Sequence, residues 1–411
     1  MATMENDGTQ PTKKQKTDED ASASGDSFEC SANECLTFHR VRTVADVDAN
    51  APGFHPEFTH QVFGEHETIY GYRGLSVHVY FHHLTFHAYV EIQYTEKLRT
   101  SLYNRGAREA DDIVAVLKEV MPAGFTDKKD EFLTMLPQLN AARLPEGGQV
   151  ISEGTQESAG IVEEWSLVQF NLGAPDMATV REVHSRLEPL IFFFIDGASS
   201  IDNEDEKWHL YALLVKSPTG QASLVGFSTV YRLYGYPHSQ RYRICQLLVM
   251  PSHQRKGYGT RLVEGVYKMA RLEKAVDVSL EDPTDALRMI RDGCELKAAL
   301  KCERLATAAQ AAAESPASSS RGMELPSELA SWARKELCIS KPQLVRTWEA
   351  LLYINVHRQA AGTREADVRL VVLRRLEAGQ KSLKNDARGK EVRATDSGFV
   401  MMRFGRPPEE G

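Results

Sequence analysis

The segment from Arg241 to Glu273, RYRICQLLVMPSHQRKGYGTRLVEGVYKMARLE, limits what this chain can fold into more than any other. A β-rich run from Ile244 to Met250 stops at Pro251, a turn rich in basic residues and glycine follows, and Leu262, Val263, Val266, Tyr267 and Ala270 then share one face of a helix. Strand, glycine turn and helix in that order make an anion-binding device. The first N–H groups of a helix have no partner within it and sit at the positive end of its dipole, and glycines at 257 and 259 let a phosphate reach the main chain. The turn has neither the Gly-x-Gly-x-x-Gly of dinucleotide folds nor the P-loop of NTPases, which argues against both.

Charge placement also points to an anionic ligand. From Lys207 to Val263 there is no Asp or Glu, while eight Lys and Arg occur. Buried strands lack acids in any protein, but the stretches 236–243 and 252–256 are expected to be exposed and are acid-free too. Acids flank the zone instead: Asp196, Asp202, Glu204, Asp205 and Glu206 before it, and Glu281-Asp282-Pro283 after it. The latter stand at the C-terminal end of a strand expected over 275–280, where sheets of this kind place functional side chains. A carboxylate there suits a general base acting on an amine; it equally suits a helix N-cap, with Asp282 or Thr284 as the capping residue.

Periodicity around this segment gives an α/β (α+β) pattern. Strands are expected over 210–215, 222–233 and 242–250, and helices over 111–120, 178–188, 257–273 and 284–297. Residues 54–94 are dense in aromatic and β-branched side chains, with Val77, Val79 and Phe81 alternating, and read as sheet. His78, His82, His83 and His87 fall there without a carboxylate or cysteine at fixed spacing, so they read as strand-packed residues and no metal is expected. The expected organisation is a disordered tail over 1–27, a mixed α/β domain over 28–150, a catalytic domain over 151–300, a low-complexity insertion over 301–323 and a basic helical region over 324–411. The polar, glycine-rich stretch 145–160 reads as a linker or long loop between domains, and 307–322 as a flexible insertion.

Composition excludes several classes. Hydrophobic residues at 42% and charged residues at 26% of 411 are ordinary for a folded globular chain, and the longest apolar run, Leu190 to Ile195, is far too short to span a membrane. Net charge is −8, the wrong sign for a protein that coats nucleic acid, although residues 321–411 carry 17 basic against 12 acidic residues. Six scattered cysteines without a Cys-x-x-Cys pair indicate neither a zinc site nor a disulfide framework and suit a reducing compartment. Lys13, Lys14 and Lys16 form a short basic cluster that reads equally as a nuclear localisation signal or as ordinary solvated charge.

Gln254-Arg255-Lys256-Gly257-Tyr258-Gly259, between a strand and a helix, resembles the Gln/Arg-x-x-Gly-x-Gly/Ala motif of the GNAT acetyltransferase superfamily. QLLVMPSHQRKGYG, the downstream DVSLEDP, the upstream FFFIDGASSIDNEDEKWHLY and the N-terminal FHPEFTHQVFGEHETIYGYRGL together resemble the catalytic subunits of type B histone acetyltransferases, most clearly over 54–75 and 192–296. The resemblance implies a GNAT-type mixed sheet flanked by helices, with acetyl-CoA as co-substrate. It implies that Leu247, Leu248 and Val249 lie beside the pantetheine arm and that Gln254, Arg255, Lys256, Gly257, Tyr258, Gly259 and Thr260 wrap the pyrophosphate. Glu281 matches the family's proton acceptor, with Asp282 and Asp196 as neighbouring acids, and Asp196 stands where relatives often carry Glu. Glu65, Glu67, Tyr231, Arg232 and Leu233 match positions that contact the histone H4 tail. A β-propeller histone chaperone as partner, and residence in nucleus and cytoplasm, are further implications. The alternatives are a related acetyltransferase acting on another basic protein or an N-terminal amine, and a non-catalytic histone-binding module.

Overall fold

The computed structural model describes residues 28–49, 52–98, 108–143, 147–158, 160–217, 220–314, 320–358 and 364–396. The expected disordered tail and its basic cluster at Lys13 to Lys16 lie outside them. The chain divides into two compact units, Met1–Tyr231 with Ile244–Leu262, and Arg232–Arg243 with Val263–Gly411.

In the first unit the N-terminal sheet takes the order Gly53–Phe54, Leu36–Val41, Ser76–His82, Ala88–Gln93, Phe125–Thr126, with Leu36–Val41 parallel to Ser76–His82. The period-2 pattern decides its packing. Val77, Val79 and Phe81 enter the main core on one face, while Tyr80 joins Tyr89 and Phe132 on the other, under the helix Lys129–Ala141. The run Leu190 to Ile195 contains a short helix, Ile191–Phe194, whose Phe193 meets the edge of Phe38 at 4.9 Å. Of the histidines read as strand-packed, His82 and His83 are buried and hydrogen-bonded, each reaching Asn140, and burial pushes both well down, to about 4 and about 3.

The second sheet of this unit begins with Gln149–Ser158, pairs antiparallel with Ile161–Asn171, and continues through Trp208–Lys216 to Ala222–Gly235 and Ser239–Val249. Within the stretch expected as a linker or long loop, residues 149–158 are therefore strand: their polar composition is that of an outer strand with Ser152 to Glu157 alternately half-buried and exposed. The expected strands over 210–215, 222–233 and 242–250 and the helices over 111–120 and 178–188 are all present to within three residues.

In the second unit the far ends of two strands, Arg232–Arg243, continue, and Val278–Leu280 joins them through Tyr242 N to Asp277 O at 3.0 Å and Ser279 Oγ to Tyr242 O at 3.2 Å. Helices Asp285–Lys301, Glu303–Glu314, Ser327–Leu337, Lys341–Arg358 and Glu365–Asp396 follow. The flexible insertion expected over 307–322 is not found as far as Glu314. Alanine is the strongest helix former, and Leu305, Ala309 and Ala313 recur at helical spacing and are fully buried. Trp348 is 1% exposed and donates its indole N–H to Met323 O at 2.8 Å. Among the described residues no helix is long and apolar enough to cross a membrane.

Candidate active site

The strand Ser239–Val249 buries Tyr242, Ile244, Gln246 and Leu248 on one face by strict alternation. It approaches its neighbour closely. A Cβ at Gly226 would come within 3.0 Å of Leu248 O and 3.3 Å of Val249 Cα, so any larger residue there would push against the neighbouring backbone. After Val249 the chain turns through Pro251–His253, and the side-chain amide of Gln254 donates back to Val249 O at 3.1 Å. Arg255 and Gly257 both have positive φ, 60° and 80°, which curls the main chain before the helix Tyr258–Leu272 begins. A Cβ at Gly257 would meet nothing within 4 Å. The glycine thus leaves an open approach to bare backbone at a helix N-terminus, which is what an anionic group requires.

The first turn of that helix is held from below. Tyr258, 1% exposed, donates its hydroxyl to Glu163 at 3.1 Å, and burial, with Glu163 nearby, pushes its phenol up to about 12. Arg261 donates to Gln156 at 3.0 Å and lies 4.0 Å over the Trp165 ring. The strands 149–158 and 161–171 therefore fix the position of the turn, a role that no sequence motif announces. The motif residues do not share one function: Leu248 is in the core and Tyr258 anchors the helix by its side chain, whereas Leu247 is half-buried and Gln254, Arg255 and Gly257 are exposed.

The expected acids of the first unit cluster around a residue that sequence reasoning missed. His60 Nε2 lies 3.2 Å from Asp196 Oδ1, and His60 Nδ1 lies 3.7 Å from Glu67 Oε1. Asp196 is largely exposed. Glu67 is committed elsewhere: its Oε1 accepts from the N–H groups of Thr59 at 2.6 Å and His60 at 3.2 Å, and its Oε2 accepts from Asn33 Nδ2 at 2.8 Å. These bonds, that of the Thr59 amide foremost, hold its carboxyl below its ordinary range. Glu67 acts there as a cap for the short helix His60–Phe63, while Glu65 is exposed in the turn that follows. Tyr231 donates to Asp205 at 3.1 Å and packs edge-on to Trp208 at 4.7 Å.

The other expected residues belong to the second unit. Glu281 follows the strand Val278–Leu280 directly, half exposed, with Arg243 Nη1 at 4.0 Å. Asp282 has a φ of 34°, and the cap of the next helix is Thr284, whose side chain accepts from Leu287 N at 3.3 Å. Arg232 is consumed by an ion pair with Glu273 at 2.9 Å and lies over the Tyr242 ring, and Leu233 is half-buried. Among the described residues no group of three His, Cys, Asp or Glu side chains could hold a metal ion.

Comparison with known proteins gives this geometry its likenesses. Residues 28–196 match the family described as histone acetyl transferase HAT1 N-terminus, and residues 181–292 match the acetyltransferase (GNAT) family. The histone acetyltransferase type B catalytic subunit of Arabidopsis thaliana is 28% identical over 84% of this chain and 75% of its own length. The chain is similar to the type B histone acetyltransferase catalytic subunits, and its segment 181–292 to the GNAT acetyltransferases. The relatives of the same description from Mus musculus and Homo sapiens are each 30% identical over 64% of this chain, and the match spans 63% of their length. The strand, turn and helix of 239–272 fall within the GNAT match, and the aromatic sheet and the helix at 60–63 within the N-terminal match.

Proposed function

We propose that the protein transfers the acetyl group of acetyl-CoA to lysines in the N-terminal tail of histone H4. The observation that carries this reading is the turn at 254–259, with an open approach to Gly257 and positive φ angles at Arg255 and Gly257, in a chain whose residues 181–292 match the acetyltransferase (GNAT) family. The main-chain N–H groups of the turn and the first helical residues hold the pyrophosphate, while Leu247 and the main chain to Val249 border the pantetheine arm.

A lysine amine with an ordinary pKa near ~10.4 is protonated at working pH and must lose its proton before it attacks. Glu281 takes that proton, directly or through water, with Asp282 and Asp196 as the acids next in line. The amine then adds to the thioester carbonyl, main-chain N–H near Val249 stabilises the oxyanion, and the CoA thiolate leaves and is protonated. The exposed acids Glu65, Asp202, Glu204 and Glu206 attract the basic tail, and Tyr231, Arg232 and Leu233 border its path. A β-propeller histone chaperone presents the histone, in cytoplasm and nucleus. The test is a mass spectrum of an H4 tail peptide after incubation with enzyme and acetyl-CoA. Acetyl groups on side-chain amines support the reading, and acetylation confined to the α-amine would replace it with an N-terminal acetyltransferase.

A further inference from the structure

The turn has a basic neighbour that comes from the other end of the sequence. Arg40, near the end of the strand Leu36–Val41, places Nη1 3.2 Å from Nδ1 of His253, the residue just before the motif. Arg42, two residues on, donates from Nη2 to Ser223 Oγ at 2.7 Å, and that hydroxyl lies 2.8 Å from His83 Nδ1. Lys256 is the third cation within electrostatic range of His253. Both arginines are only half exposed, and among the described residues neither guanidinium has a carboxylate within 4.0 Å. The acid named as acting on Arg40 among the described residues is Glu163, which already accepts from Tyr258 at 3.1 Å.

Such a cluster is costly as it stands. Like charges are drawn together and partly desolvated without a counter-ion, and burial with the neighbouring Arg42 lowers Arg40 to about 10, which still leaves it charged at neutral pH. His253 responds by staying neutral: burial first, then Arg40, Lys256 and Arg42, push it down to about 3. Its Nδ1 is therefore an acceptor, and Arg40 donates to it. The bond holds the guanidinium beside His253, four residues before Gly257, where the backbone is open. An anion placed there would neutralise the cluster, and guanidinium groups bind phosphate with a directional fork that an ammonium lacks.

We propose that Arg40 and Arg42, oriented by His253 and Ser223, form a phosphate anchor of the coenzyme site, so that the N-terminal strand helps to bind acyl-CoA as well as lying in the part of the chain that meets the histone. This inference rests on the reading of the turn as an acetyl-CoA site. The ligand chemistry is a phosphate group, which the coenzyme presents both as its pyrophosphate and as its 3′-phosphate.

The experiment is isothermal calorimetry on the full chain with acetyl-CoA, acetyl-3′-dephospho-CoA and S-acetylpantetheine, using wild type, Arg40→Gln and Arg40→Lys, with melting curves for each. Losing charge-assisted bonds should weaken acetyl-CoA binding by Arg40→Gln about tenfold or more, with Arg40→Lys in between, and flatten its salt dependence. Binding of S-acetylpantetheine should be unchanged. A loss that persists with the dephospho ligand assigns the anchor to the pyrophosphate, and one that vanishes assigns it to the 3′-phosphate. Wild-type affinity of Arg40→Gln for acetyl-CoA, or an equal loss for S-acetylpantetheine, would overturn the inference. A wild-type protein that binds no acetyl-CoA would instead overturn the reading of the turn itself.

Discussion

The side-chain amide of Gln254 donates to the carbonyl oxygen of Val249 at 3.1 Å, so the residue that opens the turn also locks the end of the strand leading into it. The bond ties the two halves of the candidate coenzyme site together. With Gly226 pressed against Leu248 O on one side and Tyr258 anchored to Glu163 on the other, the turn is held at both ends. Only its middle, at Arg255 to Gly257, is left open to a ligand.

Gly257 is where a side chain should do most harm to binding and least to folding. Gly257→Glu places a carboxylate over the open backbone, and acetyl-CoA binding should fall below detection by calorimetry. Its φ of 80° costs any other residue roughly 1–2 kcal/mol, so a small fall in melting temperature is expected. Gly257→Ala carries the same backbone cost without the charge and should retain measurable binding. Full affinity in Gly257→Glu would place the phosphates elsewhere.

Glu67 should show itself as a structural acid. Its carboxyl is held low in the folded state by the Thr59 amide above all, so its contribution is present above its ordinary value of 4.5 and is lost as pH falls through the depressed folded value. Glu67→Gln should therefore lower the melting temperature at neutral pH by roughly 2–4 °C. The gap between variant and wild type should close as the solution is taken into the acid range below that value. A gap independent of pH would show that the charge on Glu67 is not what matters.

Glu65 is the tail-facing candidate that remains once Glu67 is committed to the backbone. If it attracts the basic peptide in ground and transition states alike, Glu65→Lys should raise KM for an H4 tail peptide and leave kcat and acetyl-CoA affinity unchanged. The effect should shrink as salt is added. An unchanged KM at low ionic strength would move the search to Asp202, Glu204, Asp205 and Glu206.

Local signals were readable in the sequence and long-range ones were not. The helix expected over 257–273 is found at Tyr258–Leu272, because its apolar period and its glycine turn are both local. Thr284 was one of two candidate caps, and it is the cap. The strand Gln149–Ser158 was missed because an outer strand beside solvent needs few apolar residues, and Gly154 sits against Trp165 where no larger residue fits comfortably. The helix Glu303–Glu314 was missed because alanine-rich composition reads as low complexity until a partner buries one face. His60 beside Asp196, and Arg40 beside His253 across 213 residues of sequence, follow from tertiary folding alone, and no periodicity announces them.

The central claim, acetyl transfer to lysines of the H4 tail with Glu281 as base, is tested most directly by time-resolved mass spectrometry of an H4 tail peptide with wild type and Glu281→Gln, alongside acetyl-CoA affinity for both. The wild type should acetylate tail lysines, and Glu281→Gln should slow kcat by ~10² or more with acetyl-CoA affinity nearly unchanged. Absence of lysine acetylation by a wild-type protein that binds acetyl-CoA would contradict the substrate, and near-normal turnover by Glu281→Gln would contradict the base.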